Sequence, residues 1–142
     1  MNIKTVGVVG CGLMGSGIAQ VIAAAGYRTV VREVDDRALD AGLGRIRKFL
    51  ADGVTRGKVT PEQQATTLSH LTGTTSVADL RSCDLVIEAI VENLDAKRAI
   101  YAALDDVLHG STIVVSNTSS LCIMELAAAT KRPDRFAGVH FF

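Results

Sequence analysis

Glycines at a fixed spacing, two acids, a run of hydroxyls and one histidine are the residues whose types and order invite chemistry. Gly10, Gly12 and Gly15 stand in G-x-G-x-x-G spacing, directly after the apolar run Val6-Gly7-Val8-Val9 and before Ile18, Ala19, Val21, Ile22, Ala23 and Ala24 at helical spacing. That is a strand-to-helix junction, the context in which the spacing has meaning. Gly10 permits a tight turn, Gly12 lets backbone approach a pyrophosphate, and Gly15 lets the helix lie close on the strand. Phosphates would then rest on the free N–H groups of the turn and of Leu13 and Met14, at the positive end of the helix dipole. Glu33 ends the next apolar run, Thr29-Val30-Val31-Arg32-Glu33. It falls in the window, roughly 20 residues past the glycines, where a carboxylate receives the adenosine-ribose hydroxyls of NAD. A carboxylate there repels the extra phosphate of NADP, although Arg32 beside it would blunt the preference.

The remaining candidates lie further along. Glu88 sits near the end of Leu85-Val86-Ile87-Glu88-Ala89-Ile90-Val91. A carboxylate in a buried strand is either paired or placed in a cleft. Ser116-Asn117-Thr118-Ser119-Ser120 follows the apolar run Thr112 to Val115. Ser119 and Ser120 either cap the following helix or bind a substrate oxygen. His140 closes the last apolar run. A histidine titrates near neutrality and can take the proton released in alcohol oxidation; a core histidine beside Phe141 and Phe142 is the bland alternative. His70 and His109 end helices and read as structural, where a cation helps the dipole. No G-x-S-x-G nucleophile elbow is present, so a serine hydrolase reading fails.

These residues need elements to hold them. The pattern predicts strands over Ile3 to Val9, Thr29 to Glu33, Leu71 to Thr75, Leu85 to Val91, Thr112 to Val115 and Phe136 to Phe142. Helices fall between them. The first runs from Leu13 to Ala25 and stops at Gly26; a second, from Asp36, buries Leu39, Leu43, Ile46 and Leu50. Arg45, Arg47 and Lys48 fall mostly off that face and read as solvated. Asp52 to Thr60 reads as a turn, and Thr60-Pro61-Glu62 opens a further helix with threonine as cap and proline at the first position. This helix pair, between strands two and three, is expected to project from the sheet. Val77 to Leu80 reads as a brief helical turn. Asn93 caps a helix with Ile100, Leu104, Val107 and Leu108 on its apolar face, stopped by Gly110. Strands alternating with helices imply right-handed crossovers and a parallel sheet. With this motif on the first strand, the fold class is α/β, a doubly wound Rossmann sheet in the order 3-2-1-4-5-6. Ligands in such sheets sit beyond the carboxyl ends of the strands. The glycines, Glu33, Glu88 to Asn93, Ser116 to Ser120 and His140 therefore converge on one cleft.

Composition sets the frame. The 142 residues suffice for one domain, and 48% are apolar with few aromatics. Formal net charge is zero, with no basic stripe for nucleic acid. No apolar run approaches the roughly 20 residues that span a bilayer. Glycines interrupt any leader-like apolar run at the start. Cys11, Cys83 and Cys122 are odd in number, scattered and without a C-x-x-C, so they read as reduced thiols of a cytoplasmic protein, with no metal site.

Four stretches carry a resemblance that covers the whole chain: Gly10 to Gln20, Val86 to Asn93, Ser116 to Ser120 and Arg135 to Phe142. Together they resemble the NAD-binding domain of the L-3-hydroxyacyl-CoA dehydrogenases, which oxidise the 3-hydroxyl of an acyl-CoA. The resemblance implies His140 as the base on the hydroxyl and Ser119 as the group bonded to the reacting oxygen near the nicotinamide. It implies Glu33 on the adenine ribose, Glu92 and Lys97 in contact with the cofactor, and Asn117 at the border of the site. It departs at Cys11, where a small residue is usual, and at Glu33, where aspartate is common. Cys122 caps poorly where serine or threonine would serve, so the start of that helix is expected to depend on Ser120.

The family continues past its His-Phe-Phe stretch with Asn-Pro and a glutamate that orients the histidine. An all-helical domain follows, supplying an asparagine, much of the acyl pocket and the dimer interface. Residues 1–142 correspond to the cofactor domain alone. The expectation is an incomplete enzyme that binds NAD with little or no turnover, from a parent that is a homodimer acting on acyl-CoA. It also expects Val139, Phe141 or Phe142 to be left partly exposed. For the 3′-phosphate of CoA, Arg56 and Lys58 are the candidates, against the simpler reading of a solvated basic turn. Two other functions stay open: a dehydrogenase of free hydroxy or sugar acids, and a dinucleotide-binding module without chemistry.

Overall fold

The computed structural model describes residues 2–142. Six strands form one parallel sheet in the order β3-β2-β1-β4-β5-β6. They are β1 (Thr5–Val9), β2 (Arg28–Arg32), β3 (Leu71–Thr74), β4 (Leu85–Glu88), β5 (Ile113–Ser116) and β6 (Phe136–Gly138). The helices are α1 (Leu13–Ala24), α2 (Asp36–Thr55), α3 (Pro61–Ser69), α4 (Leu94–Val107) and α5 (Ile123–Ala127), with 3-10 turns at Val77–Ser82 and Pro133–Arg135. The expected strand order is the observed one.

Valine-rich strands covered on both faces divide the core in two. On one face Val6, Val8, Val31 and Ile87 meet Ile18 and Ala19 of α1 and Leu39, Ile46 and Leu50 of α2. On the other, Val9, Val86 and Val114 meet Ile100, Tyr101 and Leu104 of α4 and Leu126 of α5. The apolar face predicted for α2 is thus the buried one. The α2–α3 pair is the helical insertion expected between strands two and three. Its Leu39, Ile46, Leu50 and Leu68 pack into the first core, because burying that stripe stabilises the fold more than exposing it. α2 also runs on to Thr55 through the stretch expected to turn, and Gly57, at φ +67°, follows it. Thr60 caps α3 in a full capping box with Gln63.

Three strand ends differ from expectation by more than one residue, each for a local reason. β1 starts at Thr5 because Asp84 Oδ2 accepts the amides of Lys4 (2.8 Å) and Thr5 (2.9 Å), which anchors the entry. β4 stops at Glu88, not Val91, because the Glu88 carboxylate accepts the Ile90 N–H at 2.8 Å and turns the chain. β6 stops at Gly138, not Phe142: Val139 N–H still bonds Ser116 O, but Phe141 N–H goes to the Asn117 side chain at 2.8 Å. α5 is also short. Cys122 makes no side-chain cap, and Ser120 supplies none; instead Thr118 Oγ1 accepts the Leu121 amide at 3.0 Å.

An ion pair fastens the approach to β6. Arg132 donates Nε to Asp105 Oδ1 at 2.9 Å and Nη1 to the His109 carbonyl at 2.8 Å. The Asp105 side chain is 2% exposed. Burial opposes its ionisation, but the Arg132 guanidinium, the Lys131 amide and the Thr130 hydroxyl together hold its carboxyl below the ordinary aspartate value. A depressed folded pKa means stability that is complete above the unfolded value, about 3.9, and is lost as pH falls through the folded one. Asp105→Asn should therefore cost about 3 kcal/mol at pH 7, by stranding Arg132. The gap from the parent chain in urea melts should narrow below about pH 4.

Among the described residues no helix is long and apolar enough to cross a membrane. None of the three cysteines is bonded to another: Cys11 and Cys83 are buried and Cys122 is exposed.

Candidate active site

The carboxyl ends of β1, β2, β4 and β5, with the segment after β6, surround a cleft of about 990 Å³. Gly10, Gly12, Leu13, Met14, Glu33, Glu92, Asn117, Ser119 and His140 all line it, so the strand ends bring nearly every predicted site residue together. Of the two runs expected there, Glu88, Asn93, Ser116, Thr118 and Ser120 do not line it, and neither do the predicted cofactor residues Gly15 and Lys97. Gly15 lies beneath the loop, where a Cβ would overlap the Gly10 carbonyl oxygen. Its part is the close packing of helix on loop. Lys97 has no exposed side chain, and its Nζ donates to Glu88 Oε1 at 2.6 Å.

The glycine loop is shaped for a ligand's phosphates. Gly10 has φ +90°, and a Cβ there would press on the Ala89 carbonyl oxygen at 2.6 Å. Gly12, by contrast, has nothing within 4 Å of where its Cβ would stand. Open space lies above it, and no side chain caps α1, so the first helical N–H groups are available to an anion. Leu13 is 83% exposed at the rim.

Glu33 is the residue just past β2. Its Oε1 accepts the Cys11 N–H at 2.6 Å and its Oε2 the Val34 N–H at 2.9 Å. A carboxylate offers about four acceptor positions, so two remain for a diol. Cys11 itself points inward, and burial, then the Glu33 charge, pushes its thiol up to about 11. It is an inert packing group, seated against Gly42 of α2. Arg45, read from sequence as solvated, donates Nη2 to the Cys11 carbonyl at 2.6 Å and ties α2 to the loop. Nothing in helical periodicity could have found it, because its partner lies 34 residues away.

The opposite wall is built on a buried polar cluster. Glu88 Oε1 accepts from Lys97 Nζ and the Ile90 amide, and Oε2 accepts from Tyr101 Oη at 2.6 Å and Ser116 Oγ at 2.7 Å. Of the two outcomes open to a buried carboxylate, Glu88 takes the paired one. Tyr101 stays protonated, since burial and the Glu88 bond both push its pKa up. Lys97 Nζ also lies 3.8 Å from Glu92 Oε2. Glu92 in turn accepts from Thr118 Oγ1 at 3.0 Å and from the Ser119 amide at 3.1 Å, which holds the Ser119 turn against the cleft. Thr118 lay within the expected hydroxyl run but was given no role of its own, since a threonine there carries no sequence signal that separates it from its neighbours.

His140 is exposed beyond β6, its ring 5.9 Å from that of Phe142. The Asn117 side chain, through Phe141 N–H, holds the segment that carries it. Among the described residues nothing hydrogen-bonds its imidazole. Val139 and Phe141 are half-buried and Phe142 is fully exposed. Arg56 and Lys58 are exposed at the end of α2 and do not line the cleft.

The cleft fits a dinucleotide: an open glycine turn for the phosphates, a free-lipped carboxylate on one side, and a hydroxyl with an imidazole on the other. Comparison with known proteins agrees. The family model described as "3-hydroxyacyl-CoA dehydrogenase, NAD binding domain" matches residues 5–142. A 3-hydroxybutyryl-CoA dehydrogenase of Bradyrhizobium diazoefficiens is 46% identical over 139 residues, covering 98% of this chain and 47% of that protein. A 3-hydroxyadipyl-CoA dehydrogenase of Escherichia coli is 42% identical, over 100% of this chain and 30% of that protein. The crystal structure of Mycobacterium tuberculosis FadB2 superposes with a TM-score of 0.97 at 48% identity, covering 100% of this chain and 50% of that one. The chain thus spans about half the length, or less, of these relatives.

Proposed function

The chain belongs to the family of 3-hydroxyacyl-CoA dehydrogenase NAD-binding domains, and from that premise we propose that it is the coenzyme half of an enzyme oxidising the 3-hydroxyl of an L-3-hydroxyacyl-CoA to the 3-oxo compound. The observation that carries this reading is the meeting of Gly12, Glu33, Ser119 and His140 in one cleft. NAD, when bound, supplies the hydride acceptor. The chain's own residues do the rest. The loop amides and the α1 N-terminus take the phosphates, and Glu33 accepts the adenosine hydroxyls. The Ser119 hydroxyl donates to the reacting oxygen, and an imidazole nitrogen of His140 takes the hydroxyl proton. Glu92 positions Ser119 through its amide, and Asn117 positions the segment bearing His140.

A base that works near neutrality is normally oriented by a third group. His140 has none among the described residues. The chain by itself should therefore bind NAD in calorimetry, yet show little or no NADH oxidation with acetoacetyl-CoA. Ordinary steady-state turnover by this chain would refute that expectation. A parent enzyme that preferred a free hydroxy acid to acetoacetyl-CoA would replace the substrate assignment. The same reading places the enzyme in the cytoplasm as a homodimer whose partner molecule is an acyl-CoA, with no nucleic acid or membrane involved. Unpaired, scattered thiols support the compartment, and zero net charge supports the lack of a polyanionic partner.

A further inference from the structure

Arg32 Nε is a buried side-chain nitrogen without a hydrogen-bond partner, the single such atom among the described residues. Native folds leave few such donors, and each asks what it is waiting for. Arg32 is the last residue of β2, in register with Val9 of β1 and Thr74 of β3. Side chains alternate along a strand. Val31 enters the core under α1 and α2, and Val30 packs into the core under α4, beside Val77. Arg32 therefore emerges on the Val30 face, where that second core opens into the cleft. The cleft lining includes, with Arg32, the apolar Val34, Val77, Ala99, Ile100 and Ala103, and Val77 and Ile100 belong with Val30 to that second core. Glu33 stands on the other face, bonded to the Cys11 and Val34 amides, and forms no ion pair with Arg32.

We propose that Arg32 reads the adenine base of the dinucleotide, its guanidinium donating to a ring nitrogen of the purine at the apolar end of the cleft. The inference rests on the coenzyme reading above. Glu33 fixes where the adenosine ribose sits, and the base attached to that ribose extends into the slot that Arg32 closes. Flat apolar walls suit a heteroaromatic ring, whose edge then needs a donor. A planar guanidinium, weakly hydrated for a cation, fits that place better than an ammonium. A ribose 2′-phosphate is the other anionic partner such a residue could serve. That phosphate would stand against the anchored Glu33 carboxylate, and it is best solvated at the rim, whereas the free nitrogen of Arg32 is buried.

The test is calorimetric titration of the chain and of Arg32→Met and Arg32→Lys with NAD, ADP-ribose, nicotinamide mononucleotide and NADP. Arg32→Met should weaken NAD and ADP-ribose by about tenfold each, a lost hydrogen bond to a charged donor. Nicotinamide mononucleotide, which lacks adenine, should bind both chains alike and so report an intact cleft. Arg32→Lys should not restore the loss. Unchanged NAD affinity in Arg32→Met overturns the proposal. So does an equal loss for the mononucleotide, which would mean a structural role, or a loss confined to NADP, which would assign the guanidinium to the 2′-phosphate. If the parent chain binds none of the four, the coenzyme reading itself fails.

Discussion

Lys97→Met is expected to lower the melting temperature by roughly 10–20 °C, the consequence of about 3–5 kcal/mol lost from a domain of this size. The side chains of Lys97 and Glu88 are both fully buried, and the ammonium is the one cation on that carboxylate. Removing it leaves Glu88 held by three neutral donors, Ile90 N–H, Tyr101 Oη and Ser116 Oγ. Those bonds do not repay the desolvation of a full charge. The double variant Glu88→Gln with Lys97→Met should recover much of the loss, because a buried pair replaced whole is far cheaper than a pair broken. Thermal melts of the four chains form a cycle, and a single variant as stable as the parent would show that the pair does not hold the β4 end. The effect should reach the site as well. Lys97 also faces Glu92, and Glu92 holds the Ser119 amide, so slackening this wall should weaken NAD binding in the folded fraction.

The second large effect is on binding without stability. Gly12→Ala should leave the melt unchanged while NAD affinity falls by roughly 10–100-fold. A methyl group at Gly12 meets no atom of the protein, so the fold has no reason to register it. The space it fills is the approach of the phosphates to the loop. Gly15→Ala makes the contrast. There a Cβ would overlap the Gly10 carbonyl oxygen, and α1 would have to shift off the loop. That variant should lose stability and binding together. Melting curves with and without NAD separate the two glycines. A Gly12→Ala chain that binds as the parent does would place the pyrophosphate elsewhere.

Much of this architecture was legible in the sequence because its causes are local. The strand-to-helix junction at Gly10 to Gly15, the caps Thr60 and Asn93, the stop at Gly26 and the apolar stripe of α2 each depend on residues within a turn or two of one another. Backbone sterics and helical periodicity act at that range, and the doubly wound order follows from alternation and handedness. The gathering of Glu33, Asn117, Ser119 and His140 was legible for the same reason, since strand ends must share one edge of a parallel sheet.

The tertiary structure decided what pairing across the chain decides. Whether Lys97 faced a ligand or a buried acid depended on Glu88, nine residues away and on another element. Arg45 became a loop anchor only because α2 brings it to the Cys11 carbonyl, and Arg32 was left with an unpaired Nε because strand alternation sends it to the face opposite Glu33. The strand expected to run to Phe142 ended at Gly138, because the Asn117 side chain took the Phe141 amide. A long polar side chain reaches several ångströms from its backbone and chooses among partners that folding assembles. Residue type and spacing name the element such a side chain stands on, and only the packed chain determines which atom it meets.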